Sequence, residues 1–246
     1  MKDKIINLGF SKREVEELLT VSKDIESDYK KLLNKYPIQY LIGYVNFYGY
    51  KINVNESVLI PRYETEFLVE KVIKYCKREF NKKISILDIG TGSGCIGIVL
   101  SKELDSDVTC SDISDDALEV AKKNAKENNT NIKFINSDML NNISDKYDLI
   151  ISNPPYISYD EEVMESVKKY EPHLALYADN NGLYYYKEIL KNISKNLKEK
   201  YIIAFEIGMN QAESISNIAR KYLDNIKIVV EKDLSNKDRY LFIFSE

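Results

Sequence analysis

A chain of 246 residues, 44% hydrophobic and 30% charged, can bury a sizeable core as one large domain with a small accessory unit. No apolar run reaches the roughly 20 residues that cross a bilayer, and the stretch from Met1 to Asn7 lacks a signal peptide's apolar region, so a soluble, cytoplasmic protein with no membrane partner is expected. The net charge of −4 argues against generalised binding to a phosphate backbone, and Cys76, Cys95 and Cys110 lack metal-ligand spacing and are expected to be reduced and structural.

Ser11-Lys12-Arg13-Glu14 is a capping-box pattern that leads into Val15, Leu18 and Leu19 at helical spacing. A second helix is predicted over 25–34, with Tyr29, Leu32 and Leu33 on its apolar side. Residues 1–40 therefore read as a short helical unit. Residues 41–64 read as a linker in which the alternation from Phe47 to Val54 predicts strand structure, with a turn at Gly49. The main domain, 65–246, opens with a helix whose Leu68, Val72, Cys76 and Phe80 recur every four residues.

From residue 84 strands and helices alternate. Strands are predicted at 84–89, 108–113, 132–135, 147–152, 201–207, 226–230 and 239–244, and helices at 95–104, 184–197 and 211–222. Ser114 reads as the N-cap of a further helix ending near residue 128, with Asp115 and Asp116 in its positive first turn. Regular alternation predicts an α/β fold, a Rossmann-like, doubly wound, mostly parallel sheet. The last two strands have no helix between them, so an antiparallel closing strand is expected.

Two motifs lie at predicted strand ends, where open α/β sheets place their chemistry. After the first comes Asp88-Ile89-Gly90-Thr91-Gly92-Ser93-Gly94-Cys95-Ile96-Gly97, a glycine loop that lets a ligand approach the backbone ahead of a helix N-terminus. Gly92-x-Gly94-x-x-Gly97 fits a dinucleotide fingerprint, whereas Asp88 with Gly90-x-Gly92-x-Gly94 is the arrangement of S-adenosylmethionine (SAM) methyltransferases. Asp112 ends the next strand and would serve a ribose in either case. After the strand at 147–152 comes Asn153-Pro154-Pro155-Tyr156, whose prolines stop the strand and hold Asn153 extended.

Taken in order, Pro37 to Gly43, Leu59-Ile60-Pro61-Arg62-Tyr63-Glu64-Thr65-Glu66, the Asp88 to Gly94 loop, Asn153 to Ile157, Glu171 to Leu176, and Lys232 to Arg239 resemble the release-factor glutamine methyltransferases, the HemK/PrmC family. The resemblance runs from about residue 37 to the end. Tyr63 replaces the family's second proline in its Pro-Arg-Pro-Glu motif, and the helical unit before Pro37, which the family uses to dock its substrate, is shorter than usual.

The resemblance implies a SAM-dependent transfer to the side-chain amide nitrogen (N5) of the glutamine in the Gly-Gly-Gln motif of class-1 peptide-chain release factors, yielding S-adenosylhomocysteine. It implies that Gly90, Thr91, Gly92, Ser93 and Gly94 approach the methionine part of SAM, that Asp112 binds the ribose hydroxyls, that Asp138 and Met139 border the adenine, and that Asn153 touches both cofactor and substrate. Asn153, Pro154, Pro155 and Tyr156 would form the acceptor site. An amide nitrogen is a poor nucleophile because its lone pair is delocalised. Two fixed acceptors, the Asn153 side-chain oxygen and the Pro154 carbonyl, would favour the localised lone pair by binding its two N–H groups, with the Tyr156 ring lying against the amide as a wall. No metal is required.

Three other readings stand beside this one: glutamine methylation of a ribosomal protein, an adenine-N6-type nucleic-acid methyltransferase, and a nicotinamide-dependent oxidoreductase. The second would normally carry a recognition domain or a basic surface, and no stable nucleic-acid binding is expected. The third leaves the Asn153 to Tyr156 loop unexplained. His173, the only histidine, is read as part of a packed loop, Lys187, Lys191, Lys195 and Lys198 as one solvated helical face, and Asp238 and Arg239 as a structural pair.

Overall fold

The computed structural model describes all 246 residues. Four short helices come first: α1 (Lys2–Ile6), α2 (Lys12–Val21), α3 (Ile25–Leu33) and α4 (Ile38–Ile42). The Ser11–Glu14 capping box is formed, and Asp24 caps α3 by accepting from the Ser27 amide at 3.0 Å. Their apolar faces meet in a cluster of their own, Ile5, Val15, Leu18, Leu32, Ile38 and Ile42. Gly43, at φ 83°, ends α4 in the left-handed region and starts a hairpin, β1 (Tyr44–Phe47) and β2 (Tyr50–Asn53), with Tyr48 and Gly49 at its turn.

The main domain continues with α5 (Tyr63–Glu79), β3 (Ile84–Ile89), α6 (Cys95–Glu103), β4 (Ser106–Asp112), α7 (Asp115–Glu127), β5 (Ile132–Asn136) and β6 (Tyr147–Ser152). Next come α8 (Glu165–Tyr170), the short turn α9 (Asp179–Gly182), α10 (Tyr184–Asn192), β7 (Leu197–Glu206), α11 (Ala212–Tyr222), β8 (Ile226–Lys232) and β9 (Asp238–Ser245). Seven strands form one sheet in the order β5-β4-β3-β6-β7-β9-β8. Only β9 runs opposite to the other six strands, and it inserts between β7 and β8, antiparallel to both.

Period-two alternation sorts the central strands between two helical layers. Ile84 and Ile86 of β3 pack with α5 and α6, while Leu87 and Ile89 pack with α10 and α11. All six residues of β6 are buried, Asp148 and Ser152 included, which is why the apolar residues of this strand run consecutively from Leu149 to Ile151 and do not alternate. Truncating Ile151, with no exposed surface, to alanine would cost about 2–5 kcal/mol.

Lys187, Lys191, Lys195 and Lys198 do not form the single solvated helical face expected from their spacing. α10 stops at Asn192, Lys195 lies in a 3-10 turn (Ile193–Asn196), and Lys198 is on β7, where its ammonium reaches the buried Asp148 at 2.7 Å. The four lysines therefore share no helical face. Asp238 and Arg239 pair with others: Asp238 with Lys232 at 3.7 Å, Arg239 with Asp233 at 3.5 Å. The three cysteines are buried and unbridged, and burial pushes the Cys76 and Cys95 thiols up to about 12. No helix is long and apolar enough to cross a membrane.

Candidate active site

After β3 the chain goes to β4 and β5 on one side and returns to β6 on the other, so the sheet's topological switch point lies between β3 and β6. The register pairs Ile89 with Ser152, the last residues of the two strands. The glycine loop and the Asn153 loop therefore leave the sheet side by side. Ser152 Oγ tightens the junction by donating to the Ile89 carbonyl at 2.7 Å.

Gly90, Gly92 and Gly94 all have positive φ, 70°, 53° and 81°, which other L-residues adopt only with strain. A Cβ at Gly90 or Gly92 would meet nothing within 4 Å, so at these two positions the open space is a cradle beside the backbone. Gly97 is needed for a different reason. A Cβ there would strike Cys110 Sγ, so its absence lets α6 pack close to β4. Asp112 ends β4 and holds the loop, accepting from the Gly92 amide at 2.9 Å and from the Ser114 amide at 3.0 Å. Burial raises its pKa against these two backbone bonds. Ser114 caps α7 as its sequence predicts, accepting from Ala117 N at 3.2 Å.

Asp88 belongs to the same face of β3 as Ile86 and lies under α6. It is fully buried, accepts from Thr91 Oγ1 at 2.5 Å, and leaves Oδ1 without a partner. Burial pushes its pKa up to about 7.

One cavity joins the two loops. It is lined by Gly90, Gly92, Asp112, Asp138, Met139, Asn153, Pro154 and Pro155 among the residues read from the sequence. Thr91, Ser93, Gly94 and Tyr156 do not line it. Thr91 serves Asp88, the Ser93 carbonyl accepts from Asn124 Nδ2 at 2.9 Å, and Gly94 is the N-cap of α6. Met139, which lines the cavity, takes a positive φ of 48°.

Tyr156 is turned away from the cavity, with its hydroxyl 3.4 Å from Glu206 Oε1 and its ring 5.9 Å from the Arg239 guanidinium carbon. Asn153 is half-buried, and its Nδ2 donates to Thr65 Oγ1 at 3.2 Å. Thr65 in turn donates to the fully buried Glu206 at 2.7 Å. Burial raises the Glu206 pKa, with the Thr65 hydrogen bond and the Arg239 charge opposing the shift.

Sequence reasoning missed much of the far wall: Ser57, Val58 and Leu59 on one side, Tyr185 and Ile189 of α10 on another. Val58 is held by Tyr40, whose hydroxyl donates to the Val58 carbonyl at 2.8 Å. Glu171, buried, accepts from the Ile60 amide at 3.1 Å and pairs with Arg62, tying two of the sequence motifs together beside the cavity. Pro172, Leu174 and Ala175 complete the wall. His173, read as packed, is exposed instead, with Nε2 2.7 Å from the Lys168 carbonyl.

Residues 63–170 match the family model of the methyltransferase small domain. The chain is 42% identical over 222 residues to the release factor glutamine methyltransferase of Streptococcus pneumoniae, covering 89% of this chain and 78% of that protein. It is 41% identical over 217 residues to the release factor glutamine methyltransferase of Lactococcus lactis, covering 87% and 79%. Among solved structures, a methyltransferase from Pyrococcus furiosus superposes with a TM-score of 0.59 at 18% identity, over 89% of this chain and 95% of that one, and so shares the fold. At the identity and coverage of its curated relatives, the chain belongs to the release factor glutamine methyltransferase family.

Proposed function

We propose that this enzyme transfers the methyl group of SAM to the side-chain amide nitrogen of a glutamine in a peptide-chain release factor. The observation that carries the reading is the Ile89–Ser152 register, which sets a glycine cradle and the Asn153-Pro154 pair on one cavity. The residues fit SAM. The open space beside Gly90 and Gly92 admits the amino-acid part, and Asp112, with one backbone donor on each oxygen, keeps lone pairs free for ribose hydroxyls. Asp138 and Met139 line the same cavity, and in this reading they border the adenine.

SAM, when bound, supplies an electrophilic methyl on a sulfonium. The chain's own work falls to Asn153 and Pro154. Their oxygens accept from the two N–H groups of the glutamine amide, whose donor strength grows as nitrogen gains positive character. Proline geometry fixes the Asn153–Pro154 backbone before reaction, so the Pro154 carbonyl undergoes no reorganisation in the step. No base is needed before attack, because the surplus proton leaves afterwards. Tyr156 is turned toward Glu206 and Arg239, so it fixes the loop from behind and is not the wall against the amide that the sequence suggested.

The test is transfer of labelled methyl from SAM to purified release factor, to its Gln→Ala variant, to ribosomal protein and to DNA. Label is expected on the unmodified release factor alone. Label persisting on the Gln→Ala variant, or appearing on DNA, would overturn the reading.

A further inference from the structure

Two chains of hydrogen bonds converge on Glu206. One runs from Asn153 Nδ2 through the Thr65 hydroxyl to Glu206 Oε2 (3.2 and 2.7 Å), the other from Arg239 Nη1 through the Tyr156 hydroxyl to Glu206 Oε1 (3.5 and 3.4 Å). The fold makes this meeting possible. Ser152 of β6 pairs with Phe205 of β7, so the next residue of each strand, Asn153 and Glu206, emerge together, and Thr65 reaches them from the first turn of α5. Tyr186 fixes the backbone, donating to the Glu206 carbonyl at 2.7 Å.

Donor counting sets the direction of the first chain. Thr65 Oγ1 spends its single proton on Glu206 Oε2. Its oxygen can then only accept, and the neighbour that meets it must offer an N–H. Asn153 therefore turns its NH2 group to Thr65 and its carbonyl oxygen the other way, toward the cavity it lines. A flipped Asn153 would present donors to a substrate amide that is itself a donor, which repels rather than holds it.

We infer that Thr65 and Glu206 are positioning residues that lock the side-chain amide of Asn153 in the one orientation that offers an acceptor to the methyl-accepting amide. This deepens the methyl-transfer reading above and rests on it. Neither residue touches the substrate; both act through Asn153. The arrangement also gives the buried carboxylate a use that packing alone does not require, since an apolar residue in that place would leave Thr65 free to point its proton at Asn153.

The experiment compares Thr65→Val and Thr65→Ser with the wild type. Valine keeps the shape and removes the hydroxyl; serine restores it. Thr65→Val is expected to lower kcat for release-factor methylation about 10-fold or more while SAM Kd by calorimetry stays within about twofold, and Thr65→Ser to recover most of the rate. Equal rates for Thr65→Val and wild type, equal losses for valine and serine, or a Kd that moves with kcat would overturn the inference.

A second measurement needs neither activity nor a variant of Thr65. In 15N-labelled wild type one Asn153 side-chain N–H, assigned by its loss in Asn153→Ala, should be protected from solvent exchange. Free exchange of both protons would also overturn the inference, even if Thr65→Val fails to fold. Wild-type label persisting on a Gln→Ala release factor would instead remove the substrate reading and leave the protected N–H standing.

Discussion

The two halves of the cavity are built from different materials. On the β3–β4 side the ligand meets backbone: glycines at positive φ, an open cradle, and a strand-end carboxylate fixed by two main-chain amides, all close together in the chain. On the β6–β7 side it meets, beside the Pro154 carbonyl, a side chain held by other side chains, Asn153 by Thr65 and Thr65 by Glu206, across sequence separations of 88 and 141 residues. A backbone cradle tolerates many ligands that share a polar tail and a ribose, whereas a relay of oriented donors and acceptors discriminates by the direction of one hydrogen bond. Cofactor binding and acceptor choice are thus separable, and substitutions on the two sides should divide between affinity and turnover.

The largest effect is expected on the side-chain half. Asn153→Ala removes one acceptor made stronger in the transition state and should lower kcat by about 10²-fold or more, ~3 kcal/mol, with SAM affinity nearly unchanged. Single-turnover rates and calorimetric SAM binding would check this, and a parallel loss in both would mean that Asn153 chiefly holds the cofactor. The converse belongs to the backbone half. Asp112→Ala removes a charged acceptor and should weaken SAM binding about 30-fold, ~2 kcal/mol, with kcat at saturating SAM changed far less. A kcat loss that saturating SAM does not repair would blur the division between the halves.

The same contrast explains what could be read from the sequence. The glycine loop, Asp112 and the Ser114 cap are local: each is specified by φ, by a strand end, or by a residue three positions on, so sequence spacing carries them. The Thr65–Glu206 contact is not local, and no periodicity announces that a threonine in the first turn of α5 will meet the end of β7. Similarly, the absence of a helix between β8 and β9 signals their pairing, but insertion of β9 between β7 and β8 depends on which edge of the sheet is left open. α8 escaped notice for another reason: none of its residues is buried, so it has no apolar stripe to read. Tyr156 was legible as an aromatic beside two prolines, yet the direction of its hydroxyl is set by Glu206 and Arg239, both distant in the chain.

Buried carboxylates occur in both halves, and they differ in how they are satisfied. Glu206 has a partner on each oxygen, while Asp88, beneath the glycine loop, has one oxygen unpartnered and a pKa near 7 against an ordinary 3.8. The sign of the consequence follows from proton counting. Between the two values the folded chain keeps the Asp88 proton and the unfolded chain has lost it, so stability from this group is present at low pH and is lost as pH rises toward about 7. Asn at this position does not titrate and can place its NH2 where Oδ1 now stands unpaired. From about pH 5.5 to about pH 6.5 the wild type should therefore lose ~1.2 kcal/mol relative to Asp88→Asn, slightly less than the full slope of a single proton. Urea unfolding of both proteins at the two pH values measures the difference, in which the titration of Asp112, common to both, largely cancels. Parallel pH dependences would show that Asp88 is already ionised when folded, which would make the glycine loop the carrier of a buried negative charge beneath the cradle.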